Sequence, residues 1–206
     1  MSDIIAHHRY GRDMTGTATL KLIDVDIIRG HRTLISAMTL TLDRPQLLWV
    51  EGGNGIGKTS LLRTCAGLSQ PASGQVAWAL NEESCKAPDA VAFLPADTYN
   101  KSGLTTLESA QFWGADLGTV DMESHATTRT ERLSTGQAKR LSIANLIAAE
   151  KPIWILDEPL AGLDAAGRED VTALLSEHIS NDGIAIVASH TPIPVANIFT
   201  QRLTLG

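Results

Sequence analysis

At 206 residues and 22.0 kDa the chain is long enough to bury a full core and short enough to form one folding unit. A net charge of -6, a pI near 5.5 and the absence of any lysine or arginine run exclude a protein whose main task is gripping nucleic acid, which needs a basic face. Hydrophobic content of 43% is that of a globular protein, and charged content of 19%, below the usual level of about 25%, points to partners that cover part of the surface.

Residues 1–18 mix charges and histidines, lack the apolar core of a signal peptide, and read as a flexible extension in which His7 and His8 are solvated. No later segment reaches the roughly 18 to 20 apolar residues that span a bilayer, so the chain is expected to be soluble or peripheral. Cys65 and Cys85 show neither metal spacing nor a CxxC pair, which suits a reducing compartment, with Cys65 a buried thiol and Cys85 a loop thiol.

From residue 19 the spacing predicts two strands, 20–28 and 32–42, in a small β-rich sheet. The apolar run 46–50 reads as a strand buried on both faces. Gly52, Gly53, Gly55 and Gly57 follow within six residues, and Leu61, Leu62, Cys65 and Leu68 then recur at helical spacing up to a stop near Gly67. Strands are expected again at 70–78 and 90–94. The texture from about 97 to 150 is that of a helical subdomain. Thr105 and Glu108 form a capping box for a helix reaching about Asp116, residues 119–130 are a polar connection, and Ser134 with Gln137 opens an amphipathic helix through Leu141, Ala144 and Ala148. A strand at 152–156, a helix at 165–179 and a strand at 184–189 complete an α/β chain with a mostly parallel core sheet, expected to end without an accessory C-terminal domain.

Glycine is the costliest residue to order, so four in six positions imply that something approaches the backbone more closely than a Cβ allows. Residues 52–59 match GxxxxGK followed by Thr. In this arrangement the backbone N–H groups of Gly52, Gly53, Asn54, Gly55, Ile56, Gly57 and the helix start at Ser60 cradle phosphate. Lys58 neutralises the β- and γ-phosphates, and the Thr59 hydroxyl ligates Mg²⁺. The run 153–156 delivers Asp157 and Glu158 to the carboxyl edge of a sheet. Asp157 is placed to hold magnesium through water, and Glu158 to act as general base on the attacking water. A second helix start, with Ser134 as cap and Gly136 in its first turn, offers another anion-binding end.

The order of phosphate loop, "LSTGQ", "ILDEP", "AGLD" and "IVASH" over residues 20–200 resembles the ATP-binding-cassette ATPases. That resemblance implies ATP and Mg²⁺ as cofactors and a head-to-tail homodimer. ATP held by Lys58 and Thr59 of one copy would be closed over by Ser134, Gly136 and Gln137 of the other. His190 would contact the γ-phosphate, and Asp164 would sit across the interface. Where the family carries a glutamine touching Mg²⁺, "FLPADTYN" puts Asp97, and where it stacks an aromatic ring on adenine this chain offers Arg29. The phrases "RGHRTLISAMTLTL", "GLSQPASGQVAW", "GLTTLESAQFWG" and "WILDEPLAGLD" are most similar to the ATP-binding subunits of cytochrome c maturation, or haem exporter, systems. That likeness implies an ATPase peripheral to the cytoplasmic face of the bacterial inner membrane, docked on integral membrane subunits, driving haem export or release of a haem-loaded periplasmic chaperone. Other readings are the ATPase of another exporter, a soluble cassette of DNA repair or translation, a P-loop kinase or GTPase, and a cassette that no longer hydrolyses. A soluble cassette typically brings a second cassette, a coiled-coil insertion or basic extensions, and a GTPase an NKxD motif; the sequence has none of these.

Overall fold

The computed structural model describes residues 17–97, 102–195 and 198–206; His7, His8 and nearly all of the expected N-terminal extension lie outside the described residues. Strands β1 (Ala18–Arg29), β2 (Arg32–Leu42), β4 (Ser73–Leu80) and β5 (Glu83–Cys85) form an antiparallel sheet in the order β2-β1-β4-β5. Strands β3 (Gln46–Glu51), β6 (Val91–Leu94), β7 (Ile153–Asp157), β8 (Ile184–Ala188) and β9 (Thr200–Thr204) form a second sheet, order β6-β7-β8-β3-β9, in which all neighbours run parallel.

Parallel strands covered on both faces must be apolar on both, and the central pair β7 and β8 is buried throughout. Alternate residues of β7 serve different cores. Ile153 and Ile155 join Leu20, Leu22, Leu48, Val50, Leu61 and Leu62 on the face toward the antiparallel sheet and helix α1 (Lys58–Cys65). Trp154 and Leu156 join Leu141, Ala144, Val171 and Leu175 on the other face, against α4 (Thr135–Ala148) and α5 (Ala165–Ser180). Each such Leu or Ile is worth about 1.5–3 kcal/mol of burial.

Register does the positioning. Val50 of β3 and Asp157 of β7 both stand level with Ala188 of β8, so three strands finish along one edge. Ligands in open α/β sheets bind at such an edge.

Helix ends follow local chemistry. Thr105 accepts from the N–H of Glu108 while the Glu108 carboxylate accepts from the N–H of Thr105, opening α3 (Thr106–Trp113); Ser134 and Gln137 repeat the device for α4. Helix α3 stops at Trp113, short of the expected Asp116, because Gly114 turns left-handed at φ 71°. Helix α1 stops at Cys65, and Leu68, expected on its apolar face, is 54% exposed beyond the Gly67 turn. Residues 119–130 are short 3₁₀ turns, yet Met122 among them is buried. Cys65 is buried as expected, and desolvation pushes its thiol up to about 12. Cys85 lies in β5, half-buried, rather than in a loop. The short helix α2 (Ala87–Ala90), β5 and β9 have no counterpart in the sequence reading.

Behind β7 the His178 ring stacks on Trp154 at 3.9 Å and 8°, fully buried, with Nε2 3.2 Å from the carbonyl of Ile184. Desolvation pushes this imidazole down to about 4 from a usual 6.5. An unfolded chain takes up that proton as pH falls below 6.5 while the folded chain does not. Stability is therefore full above 6.5 and declines toward pH 4, by about 1.4 kcal/mol per unit. In His178→Phe, which keeps an aromatic ring on Trp154, the loss of unfolding free energy between pH 6.5 and 5 in urea titrations should shrink by about 2 kcal/mol. An undiminished loss places the acid sensitivity elsewhere.

Candidate functional site

Where β3 ends at Glu51 the chain enters the glycine turn and then α1, whose cap is Gly57 at φ 125°. No side chain caps this helix and no acid stands in its first turn, so the first N–H groups face outward with the positive end of the dipole. Gly52 has φ 148°, and a Cβ there would lie 2.8 Å from the Leu205 carbonyl and 2.9 Å from Ile56 Cγ2. Gly57 packs on Leu34, whose Cβ would be 3.1 Å from a Cβ at that position. Lys58 is 8% exposed and its ammonium donates to the carbonyls of Gly52 at 2.7 Å and Gly53 at 3.2 Å, which fixes its direction within the turn.

Across the sheet edge Asp157 is 2% exposed and its Oδ2 accepts from the Thr59 hydroxyl at 2.7 Å. Glu158, the next residue, has φ 46°, a left-handed conformation costing about 1 kcal/mol for a residue with a Cβ. Its N–H is held by the carbonyl of Ala188 at 2.9 Å. The turn aims the carboxylate inward: Oε1 is buried, accepts no hydrogen bond from the described residues, and stands 3.5 Å from His190 Nε2. His190 itself is half exposed and follows β8.

These groups line one cavity of about 240 Å³: Gly53, Asn54, Gly55, Gly57, Lys58, Thr59 and Ser60 on one wall, Asp157, Glu158 and His190 on the other. Leu34 of β2 and Ala96, neither singled out from sequence, complete it. Gly52 and Ile56 shape the turn from behind, Gly52 against Leu205. Arg29 at the end of β1 and Asp97 just beyond Ala96 are exposed and are not among the described lining residues.

The second anion-binding candidate stands apart. Ser134 is exposed at the start of α4, Gly136 lies under the carbonyl of Gly162, and Gln137 Nε2 is 3.1 Å from His125 Nε2. Asp164 caps α5 by accepting from the Gly167 N–H at 2.9 Å and faces Arg140 at 3.8 Å. None of Ser134, Gly136, Gln137 and Asp164 lines the cavity in the same chain.

Magnesium prefers six oxygen ligands at about 2.0–2.1 Å, so neighbouring ligand oxygens stand about 2.9 Å apart. The Thr59 hydroxyl donates to Asp157 Oδ2 at 2.7 Å, so an ion ligated by that hydroxyl would have the carboxylate beside it, within reach of a water on the ion.

A turn of this kind facing an acid pair on a parallel sheet is the site of a P-loop nucleotide hydrolase, and the family profile for "ABC transporter" matches residues 35–161. The chain belongs to the ABC transporter family, as an ATP-hydrolysing subunit. Within that family it is similar to the cytochrome c biogenesis ATP-binding export protein CcmA of Haemophilus influenzae, 34% identical over 91% of this chain and 95% of that one. The CcmA of Nitrobacter winogradskyi is 33% identical over 87% and 94%, and that of Brucella abortus 36% over 80% and 82%. Among solved structures, the dimeric ABC transporter cassette MJ0796 superposes with a TM-score of 0.74 at 21% identity, covering 91% of this chain and 95% of that one. The same cassette in a post-hydrolysis state with ADP and Pi gives 0.72 at 19% over 89% and 94%. These likenesses carry the fold.

Because the glycine geometry is specific, two neighbouring substitutions should separate. Gly52→Ala meets a backbone oxygen and a forbidden φ, and should weaken ATP binding about tenfold or more. Gly53→Ala meets no protein atom and has an ordinary φ, so only its methyl against bound phosphate counts, and its loss should stay below that of Gly52→Ala. Equal losses by fluorescence titration with an ATP analogue would show that backbone strain at position 52 is not what shapes the turn.

Proposed function

We propose that this chain is the ATPase of a cytochrome c biogenesis exporter, coupling ATP hydrolysis to haem export or to release of a haem-loaded periplasmic chaperone. It works as a homodimer peripheral to the cytoplasmic face of the bacterial inner membrane, held there by integral membrane subunits of a cytochrome c maturation complex. Among the described residues no helix is long and apolar enough to cross a membrane, so attachment through a partner fits. The observation that carries the chemical reading is the one cavity in which Lys58, Thr59, Asp157, Glu158 and His190 meet. The assignment to cytochrome c biogenesis rests on the likeness to the CcmA proteins.

In this reading the helix start at Lys58 to Ser60 and the turn Gly52 to Gly57 bind the phosphates, and the Lys58 ammonium balances their charge. Thr59 would ligate Mg²⁺ and Asp157 would hold it through water, and the bound ion would supply neutralisation of phosphate charge. Asp97 joins them from the loop beside Ala96. Glu158 Oε1, buried without a donor, accepts the proton of the attacking water as its oxygen bonds to the γ-phosphorus. The bond from the γ-phosphorus to the bridging oxygen breaks, and the pair of electrons leaves with ADP. His190, 3.5 Å from Glu158, orients that carboxylate and meets the γ-phosphate. Arg29 stacks on the base.

The separation of Ser134, Gly136, Gln137 and Asp164 from the cavity of their own chain supports the dimer. A second copy turned head to tail brings its α4 start over the phosphates, with its D-loop Asp164 beside them.

Glu158→Gln should bind ATP with parental affinity, lose turnover by about a hundredfold or more, and accumulate as an ATP-bound dimer in light scattering. Lys58→Ala should lose the affinity itself. Parental turnover in the glutamine variant would overturn the assignment of the base.

For the biological assignment, the chain co-purified from membranes with its integral partners should release haem, or a haem-bearing chaperone, in step with ATP consumed. Turnover of ATP stimulated by an unrelated solute, with haem unaffected, points to another exporter.

A further inference from the structure

The reading of α4 as an amphipathic helix leaves Lys139 as a surface residue, two positions past Gln137. Instead it is 1% exposed, one of the largest fully buried side chains of the chain. Its ammonium donates to the carbonyl of Ala96 at 2.9 Å, with the carbonyl of Pro95 at 3.4 Å. Ala96 lines the nucleotide cavity, and Asp97 follows it. Burial alone pushes the ammonium below the usual lysine range, opposed by the negative charges of Asp157 first, then Asp97 and Glu158. A desolvated cation costs several kcal/mol unless carbonyls and carboxylates take the place of water. Here the compensating groups come from three segments: the end of β6, the end of β7, and the loop after Ala96.

Lys139 itself belongs to a fourth segment. It sits five residues along α4 from Ser134, about 7.5 Å of helix axis. A rigid helix therefore connects its ammonium to the exposed helix start that the dimer reading places over a second copy's nucleotide.

We propose that Lys139 is a positioning residue for ATP hydrolysis: its buried ammonium pins the backbone of Pro95 and Ala96 beside Asp157 and Glu158, so that the acid pair, the segment 95–97 and the start of α4 keep one arrangement. This rests on the reading of Asp157 and Glu158 as the hydrolytic acids. Lys139 touches no phosphate in that arrangement. Its loss displaces groups that act in the chemical step and leaves the phosphate turn intact.

The test uses the whole chain. Lys139→Met, close in length and without charge or donors, should keep ATP affinity and KM within about threefold of the parent while kcat falls about tenfold or more. Lys139→Arg, which retains charge and donors, should recover kcat to within about threefold. Hydrogen exchange in the absence of nucleotide should quicken in peptides covering 94–97 and stay unchanged in β1 and β4. Lys139→Gln, whose amide reaches a carbonyl without charge toward the acids, should show the same split and stands in if the Met variant does not fold. An unchanged kcat in a folded Met or Gln variant overturns the proposal, as does a loss of affinity like that of Lys58→Ala. If the parent hydrolyses ATP and Glu158→Gln does not, such a result sinks the role of Lys139 alone. If the parent does not hydrolyse ATP, the hydrolytic reading falls, and the exchange comparison still reads the tether.

Discussion

The hydrogen bond from the Thr59 hydroxyl to Asp157 joins residues 98 apart in sequence and ties the glycine turn's helix to the acid end of β7. Two buried strands, β3 and β7, separated by β8, deliver the two groups. The parallel register aligns Val50, Ala188 and Asp157, so a one-residue slip of either pairing would carry Thr59 or Asp157 past the other by a full strand rise of about 3.3 Å. A slip would also turn Ile153 and Ile155 out of one core and into the other. The same apolar alternation that stabilises the sheet therefore holds the site in register. Sub-ångström placement of a hydroxyl and a carboxylate is secured by burial of residues that never touch substrate.

Charges are concentrated where the sheet ends, and each is offset locally. Lys58 is turned onto the carbonyls of its own loop, Lys139 onto those of Pro95 and Ala96, and Asp157 takes the Thr59 hydroxyl. Glu158 Oε1 is the exception. Held in a left-handed turn by the Ala188 carbonyl, it is buried with no donor among the described residues. A buried carboxylate oxygen that accepts no hydrogen bond, with only His190 Nε2 at 3.5 Å beside it, costs about 1–3 kcal/mol, and the backbone strain adds to it. In the proposed reaction this is the oxygen that takes the proton of the attacking water.

The core elements were legible from sequence because their signals are local. Residues 46–50 and 153–156 are unbroken apolar runs, and Thr105, Glu108, Ser134 and Gln137 announce helix starts by side chains three residues apart. What escaped depends on distant partners. Strand β9, "TQRLT", has alternate polar residues and is defined by Arg202, which forms a bidentate pair with Glu51 at 2.5 and 2.6 Å and lies over Trp49. Burial of Lys139 cannot be read from its place in the helix, since its partners are carbonyls 43 and 44 residues away. The chemical motifs were legible one by one. Their division into a cavity set and a set outside it, Ser134, Gly136, Gln137 and Asp164, followed in the sequence only from the family resemblance, and the cavity lining agrees with it.

That division has a physical consequence for how the molecule works. Glycine at the start of α1, and Gly136 in the first turn of α4, leave two helix beginnings with positive ends directed outward, one at the cavity and one on the exposed surface. A triphosphate brings negative charge that one such end neutralises only in part, and the remainder faces solvent. The second end lies on the far side of Lys139 and Arg140, adjacent cations that fasten α4 to the acid edge on one side and to Asp164 and Asp170 on the other. In the proposed dimer, a helix held at both flanks would meet the partner copy with little bending of its own. Attraction between its start and the partner's bound phosphates would then pass to the segment 95–97, so that nucleotide in one copy would load the neighbouring subunit's helices.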